Sequence, residues 1–217
     1  MVWELLKEVL RFLEKVYDWL CLPDSPGKAD VIFVLSGRQS RKKFALELNA
    51  QGIAPTLLFS VGRFEVRRFA ELWPKACNLV ELAASITPKQ RHFFVTMERG
   101  ESKAERIKLG RLGTLTEIRA LASWLTKHPD VKSVVVVTSG PHLRRVRACC
   151  GALLPRSLEV RYLAVPNDNP VTRNQWWKEA RTRRNVLAEF PKLAAYKVAL
   201  ALERTVSGCG QGERKTA

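Results

Sequence analysis

His142 and Arg145 stand three residues apart, directly after Thr138-Ser139-Gly140-Pro141. On a helix that spacing puts both side chains on one face, where an imidazole and a guanidinium can converge on one ligand. Arg38 and Arg41 repeat the spacing after Ser36-Gly37. Ser60 and Gly62 close another apolar run, and Thr114 and Glu117 open a further segment. The chemistry these residue types offer is anion recognition: guanidinium groups grip phosphate or carboxylate bidentately, and hydroxyls add neutral donors. His142 could protonate the leaving oxygen of a phosphate ester or simply hydrogen-bond the phosphate, and Glu117 could act as a base or orient His142 or an arginine. Taken singly, the same residues also read as solvated helix arginines and a turn-stabilising histidine. Their recurrence at the ends of separate apolar runs makes them a set.

The elements that would position this set share one design. Ser133 to Thr138, with Val134 to Val137 at its centre, reads as a strand buried on both faces. Small residues follow, Pro141 suits the first position of a helix, and a basic helix comes next. Free N–H groups at such a helix start form an anion site. Residues 31–36 repeat the pattern, followed by a helix whose stripe is Phe44, Ala45, Leu48 and Ala50 and which stops at Gly52; Pro55 to Ser60 then closes a right-handed βαβ unit. Glu65 to Trp73 reads as a helix ended by Pro74. Asn78 to Leu82, His92 to Met97 and Arg106 to Leu109 read as strands, with the charged run Glu98 to Glu105 as a surface loop or hairpin tip. Gly113 opens a helix through Leu121, Trp124 and Leu125, where Thr114 as N-cap and Glu117 as its partner spell a capping box, beside any ligand contact they make.

Leu158 to Val165 reads as the last strand and Pro166 to Pro170 as a turn. A long helical stretch then runs from Thr172 to about Val206, broken near Pro191. Trp176 and Trp177 either cap the core or cover the mouth of a cleft. Strands alternating with helices predict an α/β fold: a doubly wound, mostly parallel, Rossmann-like sheet with helices on both faces and strands 31–36, 56–60, 133–138 and 159–165 in its interior. The expected organisation is an N-terminal amphipathic helix over 1–22, an α/β domain over 29–206, and a disordered tail over 207–217. The first helix alternates Trp3, Leu6, Val9, Leu10, Leu13, Val16, Tyr17 and Leu20 with charges, too many for a membrane span or a signal peptide. It packs on its own domain or, helped by Trp3, Phe12 and Trp19, on a membrane surface.

The chain has 217 residues, 46% hydrophobic, enough for one substantial core, and its formal charge of +16 favours polyanionic partners without choosing among nucleic acid, membrane surface and phosphorylated substrate. Five scattered cysteines and three histidines form no metal-ligand pattern, so no metal is expected, and Cys149-Cys150 reads as core. Unpaired cysteines and the absent signal peptide predict a cytoplasmic protein, with peripheral contact at the inner membrane as a further option.

Four blocks stand in order: Ala29 to Gly37 with Arg41 and Ala45; Leu57-Leu58-Phe59-Ser60-Val61-Gly62; Gly113-Thr114-Leu115-Thr116-Glu117; and Val137 to Arg145 with its Thr-Ser…His…Arg pattern. Together they resemble the YdcF-like family, also called the SanA/ElyC/YdcF-type domain family. The likeness covers roughly residues 29 to 198, and Glu189 and Tyr196 sit where the family's terminal helix carries a Glu and an aromatic. The chain has Ser36-Gly37 and Ser60-Val61-Gly62 where the family often has paired glycines, and residues 84 to 106 diverge. The resemblance implies a bacterial α/β protein of cell-envelope biogenesis, with no general reaction and no assigned cofactor.

Walker-type loops, G-x-G-x-x-G, G-x-S-x-G and a Mg²⁺-type carboxylate cluster are all absent from the sequence, which disfavours kinase, dehydrogenase and serine-hydrolase chemistry. The leading expectation is a site, made by Ser36, Gly37, Arg38, Arg41, Ser60, Gly62, Thr114, Glu117, Thr138, Ser139, His142 and Arg145, for a phosphate-bearing small molecule or a lipid-carrier phosphate. The alternative ligand, S-adenosylmethionine or a nucleotide, is what the resemblance implies through the family's association with adenosyl-type ligands. A basic nucleic-acid or membrane-surface module without catalysis is the alternative class; few aromatics interleave the basic residues, so nucleic acid is the weaker of those partners.

Overall fold

The computed structural model describes residues 2–72, 78–108, 110, 112–166 and 171–209; for Val2 and residues 204–209 only the backbone is described. In chain order the elements are α1 (Val2–Leu20), β1 (Val31–Val34), α2 (Gln39–Ala50), β2 (Thr56–Gly62), α3 (Val66–Leu72), α4 (Leu79–Ala84), β3 (His92–Glu98), β4 (Glu101–Arg106), α5 (Gly113–Thr126), β5 (Ser133–Thr138), α6 (Leu143–Leu153), β6 (Glu159–Ala164), α7 (Ala180–Leu187) and α8 (Glu189–Cys209). A 3-10 turn, Gly140–His142, joins β5 to α6.

The six strands form one sheet in the order β4-β3-β2-β1-β5-β6. β2, β1, β5 and β6 run parallel, with Val31 opposite both Thr56 and Val134. β3 and β4 add an antiparallel flank. Alternation along each strand divides the core between the two faces. Phe33, Val134 and Val136 pack on α5, α6 and α8, whereas Ile32, Val34, Val135 and Val137 pack on α2, α3 and α4. Each such side chain contributes about 1.5–3 kcal/mol by leaving water, which is why continuous apolar runs end up here. The fold is the doubly wound, mostly parallel α/β arrangement expected. The chain winds outward from β1 through β2 to β4, then returns through α5 to place β5 on the other flank of β1. The strand order therefore reverses between β1 and β5.

Several local expectations change. Residues 79–84 are helical, not a strand: β3 is already paired with β2 on one side and β4 on the other, and Leu79 and Ala83, one turn apart, are buried as a helix face instead. The charged run after Glu98 turns at Arg99-Gly100 and returns as β4, whose alternating exposure suits the sheet's edge. β6 is the opposite edge strand rather than an interior one, and only Tyr162 and Leu163 are fully buried in it. The first strand stops at Val34. The C-terminal helical stretch breaks at Ala188, and Pro191 lies in the first turn of α8, where its missing N–H costs no helical bond. α8 continues to Cys209, three residues into the expected tail; residues 210–217, the Trp73–Pro74 helix end and most of the 166–170 turn lie outside the described residues. Cys149 and Cys150 are buried free thiols, and burial pushes the Cys149 thiol up to about 12.

Candidate functional site

A cavity of about 530 Å³ opens at the carboxyl ends of β1 and β5, where the strand order reverses. Open α/β sheets bind ligands at such a switch point, because the two outgoing loops diverge there. The lining comes from Ser36, Arg38 and Arg41 after β1, from Ser139, Pro141, His142 and Arg145 after β5, and from Gly113, Thr114 and Glu117 at the start of α5. Val171 and, from α7 and α8, Asn185, Val186, Glu189, Lys192 and Tyr196 complete it. The starts of α2, α5 and the 3-10 turn that leads into α6 meet at the cavity, and none carries a side-chain cap. Their first N–H groups and helix dipoles favour negative charge at this end of the sheet.

The capping box expected at α5 does not form: the helix starts at Gly113 with Leu112 at the N-cap, so Thr114 lies inside the first turn, and tertiary partners take both side chains. The Thr114 hydroxyl accepts from Arg145 Nη1 at 2.6 Å and stands 3.2 Å from His142 Nε2, while its N–H donates to the Tyr196 hydroxyl at 3.3 Å. Glu117 is buried and points the other way: Oε1 accepts from the Ser36 N–H at 2.9 Å and from the Ser60 hydroxyl at 2.6 Å.

His142 sits between two hydroxyls: Nε2 stands 3.2 Å from Thr114 Oγ1, which accepts from Arg145, and Nδ1 stands 2.8 Å from Thr138 Oγ1. Burial, followed by the charges of Arg145, Arg41 and Lys192, holds the His142 pKa well below its ordinary 6.5. At neutral pH the ring is therefore the neutral imidazole with no imidazolium proton to give, and the general-acid role open to it in the sequence is disfavoured.

Arg145 is fixed by Glu189, with Nε to Oε2 at 2.8 Å and Nη2 to Oε1 at 3.3 Å, and lies over the Tyr196 ring at 4.8 Å. Lys192 reaches the same carboxylate at 3.0 Å. Arg41 donates to Ser139 Oγ at 3.1 Å from Nε and 3.0 Å from Nη2, and its Nη1 donates to the Ser36 carbonyl. These contacts pre-organise the guanidinium planes, and the cavity wall carries four cationic side chains (Arg38, Arg41, Arg145, Lys192) against two carboxylates (Glu117, Glu189). Burial works to raise the Glu117 pKa, but His92, 3.7 Å away, and the Ser60 and Ser36 donors outweigh it and hold the carboxyl below its ordinary 4.5.

The remaining sequence-selected residues support the wall from behind. Ser60 lies beneath Glu117, bonded also to His92 Nε2 at 2.7 Å, and Thr138 lies beneath His142. Gly37 does not line the cavity; its N–H donates to Glu65 Oε1 at 2.7 Å, and Glu65 also pairs with the buried Lys42. Gly62 stands beside the same carboxylate, at the end of β2. Glu117 does not orient His142 or an arginine: its hydrogen bonds run to Ser36 and Ser60. Sequence reasoning passed over Lys192, whose i+3 spacing from Glu189 was a usable signal, and Asn185. It also passed over His92, whose buried Nδ1 has no hydrogen-bond partner among the described residues and which nothing local in β3 marks out. Among the described residues no cluster of three His, Cys, Asp or Glu side chains could hold a metal ion.

No family model, no curated protein and no solved structure matches this chain.

Proposed function

We propose that this chain is a YdcF-like protein whose cavity takes the phosphate of a small molecule or of a lipid carrier, in bacterial cell-envelope biogenesis. The observation that carries the reading is the cavity wall: four cationic side chains and uncapped helix starts around a neutral imidazole. A phosphate placed there would take donors from Arg38 and Lys192, from the helix starts, and from whatever guanidinium protons Arg41 and Arg145 keep available, each a charge-assisted bond. The blocks that carry the family resemblance also converge: three line the cavity, and the fourth supplies Ser60 under Glu117. The volume suits a ligand of nucleotide or sugar-phosphate size.

If the protein acts on its ligand, the groups fit base rather than acid catalysis. His142 is a neutral imidazole whose Nε2 faces the Thr114 hydroxyl, and Glu117 is ionised beneath the Ser36 backbone. For location we assign the cytoplasm: the described cysteines are unpaired thiols, as a reducing compartment keeps them. No described helix is long and apolar enough to cross a membrane.

The test is a thermal-shift panel of inorganic pyrophosphate, nucleotides, sugar phosphates, prenyl phosphates and S-adenosylmethionine, run on wild type, Arg38→Ala and His142→Asn. Protection by phosphate-bearing compounds that Arg38→Ala weakens is expected. Protection by S-adenosylmethionine alone would replace the ligand class, and no protection by any of them would overturn the reading.

A further inference from the structure

α1 is only half accounted for by its own domain. Its C-terminal half is anchored: Leu13, Val16, Tyr17 and Leu20 pack with Val171, Trp176 and Val186, and Trp176 Nε1 donates to the Leu13 carbonyl at 3.2 Å. Arg173 clamps Asp18 at 2.7 Å and Glu14 at 2.6 Å, and Arg144 lies over the Trp19 ring at 3.9 Å. The other half leaves the domain. Trp3 is 67%, Leu5 68% and Phe12 64% exposed, with Leu6 and Val9 close to half. Scattered surface hydrophobics need no explanation, but a contiguous row of this kind on one helix does.

The distribution of charge says what covers it. Every charged residue of α1 lies outside the apolar sector, and the exposed turns neutralise their own charges through Lys7–Glu4 and Arg11–Glu8 pairs. The positive charge comes from the segment packed against the anchored half, where Lys178, Arg181, Arg183 and Arg184 are all exposed. A second copy of the chain would bring two such basic segments together on proteins that each carry +16, which repels. A surface that is apolar inside and negative at its boundary satisfies both features at once. We infer that the exposed half of α1 and the basic segment through α7 dock together on an anionic phospholipid bilayer. Apolar insertion and polybasic attraction are each marginal alone and stable in combination. The docked helix also rests on the site: a Cβ at Gly140, in the turn that carries His142, would fall 2.5 Å from the Tyr17 hydroxyl. The inference goes beyond the cavity reading and does not need it.

Co-sedimentation of the full chain with vesicles tests it, comparing pure phosphatidylcholine with phosphatidylcholine containing one-third phosphatidylglycerol. The chain should bind the anionic vesicles, release at high salt, and lose about tenfold in partitioning when Leu6→Glu and Phe12→Glu are combined. Both positions are exposed, so the melting temperature of that variant should stay at the wild-type value. Failure of wild type to bind anionic vesicles, or equal binding by the variant, overturns the inference. So does a dimer in light scattering that the two substitutions dissolve while vesicles remain unbound. Pyrophosphate protection reads the cavity and should be unchanged in the variant, so a wild type that keeps this protection but fails to bind anionic vesicles refutes docking alone.

Discussion

Arg145 of α6 and Glu189 of α8 form a buried bidentate pair, Nε to Oε2 at 2.8 Å and Nη2 to Oε1 at 3.3 Å. Both side chains are about nine-tenths buried, so the pair fixes the two helices that form one wall of the cavity while the Arg145 plane stays turned toward Thr114. Removing one partner strands the other's charge. Glu189→Ala should therefore cost about 3–5 kcal/mol in urea unfolding. The double change Arg145→Met with Glu189→Leu should recover much of that stability while losing phosphate binding. A loss under about 1 kcal/mol for Glu189→Ala would mean the pair is solvated like a surface bridge.

Acid should destabilise the fold in two stages. His142 has its folded pKa well below 6.5, so the unfolded chain takes up the proton first and stability falls as pH drops from about 6.5 toward the folded value. Glu117 has its folded pKa depressed below 4.5; the stability it contributes is present above 4.5 and is lost as pH falls through the folded value. Urea midpoints should decline from just below neutrality, and His142→Gln should flatten the upper stage only. A wild-type midpoint that stays level down to about pH 5 would contradict the buried neutral imidazole.

Gly37 has φ of +132°, a region costly for any side chain, and a Cβ there would lie 2.9 Å from Arg41 Nη1. Gly37→Ala should cost about 1–3 kcal/mol and move Arg41 off the Ser36 carbonyl. Melting curves check the first effect, and weakened pyrophosphate protection checks the second. Wild-type stability in this variant would mean that the loop relaxes freely.

What the sequence made legible follows from where the deciding contacts lie. Val134 to Val137 declared a doubly buried strand because its partners, β1 and β6, demand nothing local beyond apolar side chains. The helix starts at Arg38, Gly113 and Gly140 were readable for the same reason, and with them most of the cavity wall. Leu79 to Leu82 misled because Leu-Val-Glu-Leu fits both periods over so short a run, and the pairing of β3 by β2 and β4 is a tertiary fact. Thr114 and Glu117 spelled a capping box, yet Arg145 and the Ser60–His92 pair, distant in sequence, outbid the backbone for both side chains. His92 and Lys192 reach the site only through the fold, and no local pattern singles out His92.

The central claim is that the cavity at the β1/β5 switch point takes phosphate through its cationic wall, and calorimetric titration of pyrophosphate into wild type and Arg38→Ala tests it most directly. Arg38 lines the cavity outside the Arg145–Glu189 pair, and melting curves of both proteins separate a loss of binding from a loss of fold. Saturable binding to wild type is expected, weakened by about 1.5–3 kcal/mol in Arg38→Ala, the range for a hydrogen bond to a charged group. Equal affinity in the two proteins, or no heat with pyrophosphate while duplex DNA binds in a salt-dependent way, would contradict it.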